Sequence, residues 1–266
     1  MNVQRIRLAA SHASRLPEIA ACVSSVQAGW RLAASYVGLS RLPLPSQVAF
    51  RNGLRYRLEE YYDLETLWQI HFHHVYPLRS SDEVIVDAGA NIGFFTCWAA
   101  SRNPRATVVA VEPSPQNLRR LTEHVRLNRL DDRVITLPVA LDAAAGTVWL
   151  AERAAASQMR HVTQPGTAGA AETPAVSFTE LLARVPHDRI DFLKMDIEGS
   201  EYAVLMSGSS DQFQRIRRMT VEYHMPPPGS GYSKEGLVRH LSACGFQSII
   251  DRHPQAQYGM LDAARE

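Results

Sequence analysis

The sequence contains few cysteines, and none of them lies in a pattern that holds a metal or forms a disulfide framework. Cys22, Cys97 and Cys244 are odd in number and far apart, and no C-x-x-C pair occurs. Structural zinc sites and the disulfide frameworks of small secreted proteins rely on closely spaced pairs. The sequence therefore predicts neither, and a reducing cytoplasm is the expected location.

A long uninterrupted apolar run is also missing. In the N-terminal extension, residues 1–47, polar and charged residues interrupt the apolar ones, so the sequence predicts neither a secretory signal nor a transmembrane segment. The first acidic residue of the chain is Glu18, and it follows Arg5, Arg7 and Arg15. This pattern leaves open a transit peptide, a helix in peripheral contact with a membrane, and a plain helical extension.

No charge of one sign dominates the chain. The 266 residues include 28 Lys and Arg against 27 Asp and Glu, for a net charge of +1. We therefore expect no nucleic-acid partner, because binding to phosphates usually requires a basic excess. A hydrophobic share of 45% over this length is sufficient for one sizeable core. The oligomeric state stays open.

The pattern of strands and helices predicts an α/β fold. Residues 48–58 alternate around Asn52-Gly53, which predicts a β-hairpin. From Glu83 onward, the apolar segments EVIVDAGA, ATVVAVEP, RVITLPVAL, IDFLKMDI and RMTVEYH predict strands that alternate with helices. Such alternation is typical of a doubly wound, Rossmann-like parallel sheet. Residues 151–174 are rich in small side chains, and we expect them to form a mobile loop that closes over a substrate.

A glycine-containing loop follows the first strand of this sheet. In VDAGANIGFF, Asp87 ends the strand, Gly89 permits a sharp turn, and Gly93 allows the next helix to pack closely. The dinucleotide pattern G-x-G-x-x-G would need glycine where the chain has Asn91 and Phe94, so a pyrophosphate is not expected here. In an open parallel sheet, ligands bind beyond the carboxyl ends of the strands. The loop therefore predicts a ligand site, with a role in packing alone as the alternative.

The end of the second strand indicates which ligand this loop binds. Glu112 follows the strand VVAV, and a carboxylate at this position typically binds the two hydroxyls of a ribose. A nucleoside site without a pyrophosphate cradle fits S-adenosyl-L-methionine, whose ammonium we expect near Asp87. The residues expected to bind this cofactor are Asp87, Gly89, Ala90, Asn91, Gly93, Glu112, Pro113 and Ala140. A nicotinamide-dependent oxidoreductase is the alternative, since it would use the same Glu112.

Four segments in this order resemble one known family. VIVDAGANIGFF, VVAVEPSPQNLRRL, FLKMDIEGSEYAVL and VEYH are similar to segments of the FkbM-type S-adenosylmethionine-dependent methyltransferases. The resemblance implies a class I methyltransferase fold with a seven-stranded sheet whose last strand is antiparallel, and a domain spanning residues 48–266. It also implies methyl transfer, usually to an oxygen of a sugar, a polyketide or another secondary metabolite. A methyltransferase-like binding module without catalysis remains a further alternative.

The catalytic candidates lie at the ends of two later strands. Asp196 ends the strand FLKMD, and Glu222 and His224 lie two residues apart on one face of the next strand. His224 is the expected general base, because an imidazole titrates near neutrality. Asp196 would orient the histidine, bind the acceptor, or join Glu222 and His224 as ligands of a divalent cation, whose presence stays open.

Other acids and histidines have plainer interpretations. Glu198 and Glu201 lie near a predicted helix N-terminus, where acids stabilise the helix dipole, and we expect them to support the turn that presents Asp196. His71, His73 and His74 resemble a metal cluster, but no acid or cysteine stands at ligand spacing beside them. We therefore expect these three histidines to have surface or packing roles.

Overall fold

A computed structural model describes residues 15–153, 156–163, 167, 169–226, 229–252 and 257–265. The helices are α1 (Leu16–Ser25), α2 (Gly29–Tyr36), α3 (Tyr61–His71), α4 (Phe94–Arg102), α5 (Pro115–Leu127), α6 (Phe178–Arg184), α7 (Glu201–Ser207), α8 (Ser210–Gln214) and α9 (Lys234–Ala243). The strands are β1 (Ser46–Ala49), β2 (Arg55–Leu58), β3 (Val84–Ala88), β4 (Thr107–Val111), β5 (Val134–Leu137), β6 (Ala140–Leu141), β7 (Gly146–Arg153), β8 (Ala156–Thr163), β9 (Ala171–Val176), β10 (Phe192–Met195), β11 (Arg218–His224), β12 (Ser248–Arg252) and β13 (Tyr258–Ala264).

The main sheet has seven strands in the order β12-β13-β11-β10-β3-β4-β5. The pairs from β11 through β10, β3 and β4 to β5 are parallel, whereas β13 runs antiparallel to both of its neighbours. The predicted doubly wound sheet with an antiparallel last strand is thus confirmed. Strand order reverses between β3 and β10, so the ends of these two strands border the crevice where such sheets bind ligands.

The third predicted strand, RVITLPVAL, is divided in two. Pro138 separates β5 from β6, and the two strands belong to different sheets. A proline has no N–H to donate to a neighbouring strand, so it interrupts regular pairing. The break directs Ala140 and the residues around it away from the main sheet.

A second sheet contains four strands in the order β6-β9-β7-β8. It corrects the prediction of a mobile loop over residues 151–174, because β8, the end of β7 and the start of β9 lie in that range. The small residues there misled the sequence interpretation, since strand pairing depends on partners far along the chain. Gly146 pairs with Ala175, for example.

The N-terminal helices and the hairpin belong to the main hydrophobic core. Cys22 of α1 and Leu32 of α2 are buried in the same apolar cluster as Tyr56 of β2 and Trp68 of α3. Trp68 also donates its indole N–H to Glu18 of α1 at 2.6 Å. Although residues 1–47 were predicted to be an extension, their described part from residue 15 onward packs as part of one body.

No helix in the described part of the chain is both long enough and apolar enough to cross a membrane. Cys22, Cys97 and Cys244 are buried and free in the described structure.

Candidate active site

The loop after β3 has the conformation that its glycines permit. Gly89 and Gly93 have φ values of 79° and 86°, and Asn91 between them has a φ of 51°. A side chain on Gly89 would lie 1.7 Å from the carbonyl oxygen of Asp196, and one on Gly93 would lie 2.9 Å from Leu121. Glycine is therefore required at both positions by close packing, against the end of β10 in one case and against α5 in the other.

Glu112 lies at the end of β4, where it faces this loop. Its carboxylate accepts the backbone N–H of Asn91 at 2.8 Å and that of Ser114 at 2.8 Å. Burial raises the pKa of Glu112 to about 7, although the hydrogen bonds from Ser114 and Asn91 act in the opposite direction. The carboxylate thus organises the loop and retains lone pairs that can accept further hydrogen bonds.

A crevice of about 660 Å³, including its open mouth, lies beside Glu112. Like many ligand sites, it combines apolar walls with a few polar groups. The lining residues are Gly89, Asn91, Val111, Glu112, Pro113, Asn117, Val139, Ala140, Leu141, Leu150, Asp196, Ile197 and Glu198. The crevice therefore brings together five of the eight residues predicted to bind the cofactor.

The crevice has the chemistry that a nucleoside requires. Val111, Val139 and Leu141 form an apolar wall, next to the carboxylate of Glu112. The side-chain oxygen of Asn91 is buried without a hydrogen-bond partner in the described structure. A buried polar atom of this kind is costly unless a ligand or a water satisfies it. These residues fit a nucleoside cofactor without a pyrophosphate.

Ala90 and Gly93 support the loop and do not line the crevice. The backbone N–H of Ala90 donates to the carbonyl of Val111 at 2.9 Å, while Gly93 precedes α4. Asp87 lies behind the loop. It is fully buried, and its carboxylate accepts the hydroxyl of Thr96 at 2.5 Å and the ammonium of Lys194 at 2.9 Å. The structure does not support the expectation that Asp87 contacts the ammonium of the cofactor.

Lys194 of β10 connects Asp87 to the loop. Besides Asp87, it donates to the carbonyl of Gly89 at 2.7 Å and lies over the rings of Tyr76 and Phe95. Burial lowers the pKa of Lys194, but the charges of Asp87 and Asp196 outweigh this effect and raise it above its ordinary value. Lys194 is therefore a buried cation that fixes the loop.

Asp196 is half-buried and lines the crevice at the end of β10. Burial raises the pKa of Asp196, an effect that the nearby Lys194 and His224 oppose. The phenol of Tyr76 lies 3.5 Å from one carboxylate oxygen, at the limit of a hydrogen bond. Tyr76 is itself buried. No sequence pattern indicated a role for Tyr76. It follows the three histidines and lies 120 residues before Asp196 in the chain.

His224 does not have the environment expected of a general base. Its Nδ1 lies 3.1 Å from Glu201, and its Nε2 lies 3.6 Å from Glu198. Burial would lower the pKa of His224, but the hydrogen bond and charge of Glu201, with the charge of Glu198, raise it to about 9. This raised pKa favours the protonated imidazole, which differs from the titration near neutrality expected of a general base.

Glu201 supports the turn before α7, as the sequence predicts. Its buried carboxylate accepts the backbone N–H of Gly199 at 3.0 Å and that of Ile197 at 3.3 Å. Glu198, in the same turn, has a φ of 58°, and its side chain lines the crevice. His224 therefore holds this turn from the neighbouring strand by contacting both glutamates.

Glu222 is half-buried on β11, close enough to Asp196 for the two charges to interact. Burial and the charge of Asp196 raise the pKa of Glu222 to about 8. No three or more His, Cys, Asp and Glu side chains are arranged to hold a metal ion anywhere in the described ranges. In this structure His224 contacts two glutamates, and the binding of a cation by Asp196, Glu222 and His224 stays open.

The three neighbouring histidines His71, His73 and His74 have the packing and surface contacts that the sequence predicts. His71 is buried and bonds to the hydroxyl of Tyr56 at 3.1 Å, and burial lowers its pKa to about 3. His73 pairs with Glu18 at the surface. The ring of His74 lies near Trp98.

Comparisons with known proteins indicate the family of this chain. Residues 87–248 match the family described as the Methyltransferase FkbM domain. The methyltransferase sdnD of Sordaria araneosa is 28% identical over 232 residues, which cover 74% of this chain and 88% of that protein. The hexuronic acid methyltransferase AglP of Haloferax volcanii is 30% identical over 171 residues, covering 64% of this chain and 66% of that protein.

A third relative is the 31-O-demethyl-FK506 methyltransferase FkbM of Streptomyces tacrolimicus. It is 28% identical over 212 residues, covering 69% of this chain and 80% of that protein. The matched family range contains the glycine loop, Glu112, Asp196 and His224. This chain belongs to the FkbM methyltransferase family.

Proposed function

We propose that this protein is an S-adenosylmethionine-dependent O-methyltransferase that acts on a hydroxyl of a sugar, a polyketide or another small secondary metabolite. The observation that carries the proposal is one crevice that combines a nucleoside-type wall with a half-buried carboxylate, Asp196. The family supports methyl transfer. Two relatives support the substrate class, since their names specify a hexuronic acid and a demethylated oxygen of FK506.

The cofactor part of the proposal depends on Glu112 and the glycine loop. In our proposal Glu112 accepts the two ribose hydroxyls, and Asn91 provides its unpaired side-chain oxygen as an acceptor. The apolar residues Val139, Ala140 and Leu141 would contact the base. S-adenosylmethionine would supply the electrophilic methyl group. The protein holds the loop rigid through Lys194, whose ammonium bonds to the carbonyl of Gly89.

The acceptor part of the proposal assigns the proton to Asp196. A carboxylate with a raised pKa is a better base than an ordinary one, because its proton affinity is closer to that of the group it deprotonates. Asp196 has such a pKa and lies at the strand end that borders the crevice. Tyr76 and the cationic His224 keep it oriented and partly ionised. Glu222, with a pKa of about 8, is mostly protonated at neutral pH and is a hydrogen-bond donor.

The second sheet would contribute a wall on the acceptor side through Leu150 of β7, which lines the crevice. We propose that this sheet takes the place that the sequence analysis gave to a closing loop. An acceptor would then lie between the second sheet and the turn that contains Glu198.

The test is transfer from S-adenosylmethionine carrying a ¹³C-labelled methyl group. The protein is incubated with fractions of a small-molecule extract, and the carbon shift of the product distinguishes an O-methyl from an N- or C-methyl group. An O-methylated sugar or metabolite is the expected product. A methyl group on nitrogen or carbon would overturn the oxygen assignment, whereas binding of the cofactor without transfer to any fraction would indicate a binding module.

A further inference from the structure

One surface of the N-terminal region combines exposed apolar and basic side chains. The backbone N–H of Arg51 donates to the carbonyl of Ser25 at 2.7 Å, and that of Gln27 donates to Ala49 at 2.9 Å. The turn of the β1–β2 hairpin therefore lies against the junction between α1 and α2. The residues exposed around this junction, which we call the junction surface, are Val23, Trp30, Arg31, Arg51 and Arg55.

Two exposed side chains form the apolar part of the junction surface. Trp30 is 61% exposed and Val23 is 42% exposed. The guanidinium of Arg31 lies 5.3 Å from the centre of the Trp30 ring, so a cation and an exposed indole occupy the same place. Indole side chains of this kind are enriched where an apolar region meets charged head groups.

Its charge is local and is not compensated nearby. Residues 1–58 contain one acid, Glu18, although the whole chain has a net charge of only +1. Glu18 bonds to Trp68 and His73, so it is not available to the junction surface. In the part of the chain that the structure describes, no ion pair joins Arg31, Arg51 or Arg55 to a carboxylate. The N-terminal region is therefore locally basic, although the net charge of the whole chain is close to zero.

We propose that the junction surface docks the protein reversibly on an anionic lipid membrane. Arginines beside an exposed tryptophan match such a surface, since the charges meet the anionic head groups and the indole enters the interface. Contact between two copies through the same surface is disfavoured, because it would place arginines opposite arginines. The proposal is independent of the methyl transfer proposed above.

The test is co-sedimentation of the full-length protein with vesicles. One set contains phosphatidylcholine alone, and the other contains phosphatidylcholine and phosphatidylglycerol in equal parts. The protein is expected to bind the anionic vesicles at low salt and to be released at about 1 M salt, where electrostatic screening acts within about 3 Å. The fluorescence of Trp30 is expected to shift to shorter wavelength in the bound state.

Two variants locate the surface. Arg31→Ser combined with Arg51→Ser is expected to lower the vesicle partition coefficient by about 30-fold, since each basic residue near an anionic surface contributes about 1 kcal/mol. Trp30→Ser is expected to lower it on the order of tenfold. The matched control is Arg184→Ser combined with Arg239→Ser, which removes the same charge from exposed positions on α6 and α9. This control is expected to retain near wild-type binding.

Three results would overturn the proposal. One is equal binding to neutral and anionic vesicles, and another is an equal loss in the junction variant and its control. The third is the absence of binding to the anionic vesicles. If the protein then binds a short RNA, or forms a dimer that Trp30→Ser dissolves, the surface belongs to that other partner.

Discussion

Asp196 is the residue on which the proposed chemistry of the site depends, and opposing influences set its charge. Burial favours its neutral form, while Lys194 and His224 favour its ionised form. His224 is the weaker candidate for the base, since both imidazole nitrogens face glutamates and these raise its pKa to about 9. In this structure the His224 side chain holds the turn between Asp196 and α7.

Replacing Asp196 by Asn should lower turnover by about 100-fold or more, because it removes the proton acceptor while keeping the shape of the side chain. The fold and the affinity for S-adenosylhomocysteine should remain, which circular dichroism and calorimetry would verify. His224→Gln should lower turnover less than Asp196→Asn does. Near wild-type turnover in Asp196→Asn would show that the carboxylate serves the turn alone.

Tyr76→Phe should change how activity depends on pH. The phenol of Tyr76 donates to Asp196, so its loss destabilises the ionised carboxylate and raises the pKa of Asp196 further. The acidic limb of the kcat/KM profile should therefore move to higher pH, with a loss of about threefold to tenfold near neutrality. A variant with an equal loss at every pH would indicate that Tyr76 only packs against its neighbours.

The sequence predicted the residues that line the crevice better than the contacts of the catalytic candidates, for a physical reason. Glu112 directly follows strand β4, and Asn91 lies in the glycine loop after β3. At both places the local sequence pattern determines the position of the residue. Tyr76 contacts Asp196 only because the fold brings distant segments together. The role of His224 depends on Glu198, whose left-handed backbone aims it at the imidazole, and no local pattern indicates this.

At the scale of elements, the site depends on the contact between the loop after β3 and the end of β10. The backbone N–H of Asp196 donates to the carbonyl of Ala88 at 3.0 Å, which continues the parallel pairing beyond β10. Gly89 then passes directly over the carbonyl of Asp196. The loop proposed to bind the cofactor and the carboxylate proposed as the base are thus positioned by the same contact.

Gly89→Ala should destabilise the protein by more than about 3 kcal/mol, because the added Cβ clashes with backbone and the left-handed conformation is itself strained. Gly53→Ala is a matched control, since Gly53 has a φ of 99° and no atom within 4 Å of an added Cβ. It should cost only about 1–2 kcal/mol. Urea unfolding of both variants would measure the difference, and equal losses would refute the packing argument.

The elements differ in how well the sequence predicts them. The strands of the main sheet are predicted by short apolar runs that end in turn residues, as in β3 and β4. Strands β8 and β9 of the second sheet are not, because they lie in a segment rich in small residues, and β9 pairs with residues outside it. The mobile-loop interpretation failed for that reason.

At the scale of the whole molecule, the buried acids and His224 make stability depend on pH. The pKa values of Glu112, Glu222 and His224 rise to about 7, 8 and 9 from ordinary values of 4.5, 4.5 and 6.5. Between the ordinary pKa of each group and its raised value in the folded protein, the folded state therefore binds more protons than the unfolded state. Stability is greatest at the acidic side of this window and falls as pH rises through the folded-state values.

The unliganded protein should accordingly melt several degrees lower at pH 9 than at pH 6. Glu222→Gln cannot ionise, so its melting temperature should decrease less over the same range. Glu83→Gln is the control, because Glu83 pairs with Arg105 at the surface. A pH dependence of stability that is unchanged in Glu222→Gln would contradict the raised pKa of this group.

The most direct measurement of the central claim is a calorimetric titration of S-adenosylhomocysteine at pH 8, where most Glu112 is ionised. The wild-type protein and Glu83→Gln should bind with equal affinity. Glu112→Gln should bind at least about tenfold more weakly, since it loses charge-assisted hydrogen bonds to the ribose. Equal affinity in Glu112→Gln, or binding of a reduced nicotinamide dinucleotide in place of S-adenosylhomocysteine, would contradict the assignment of the crevice.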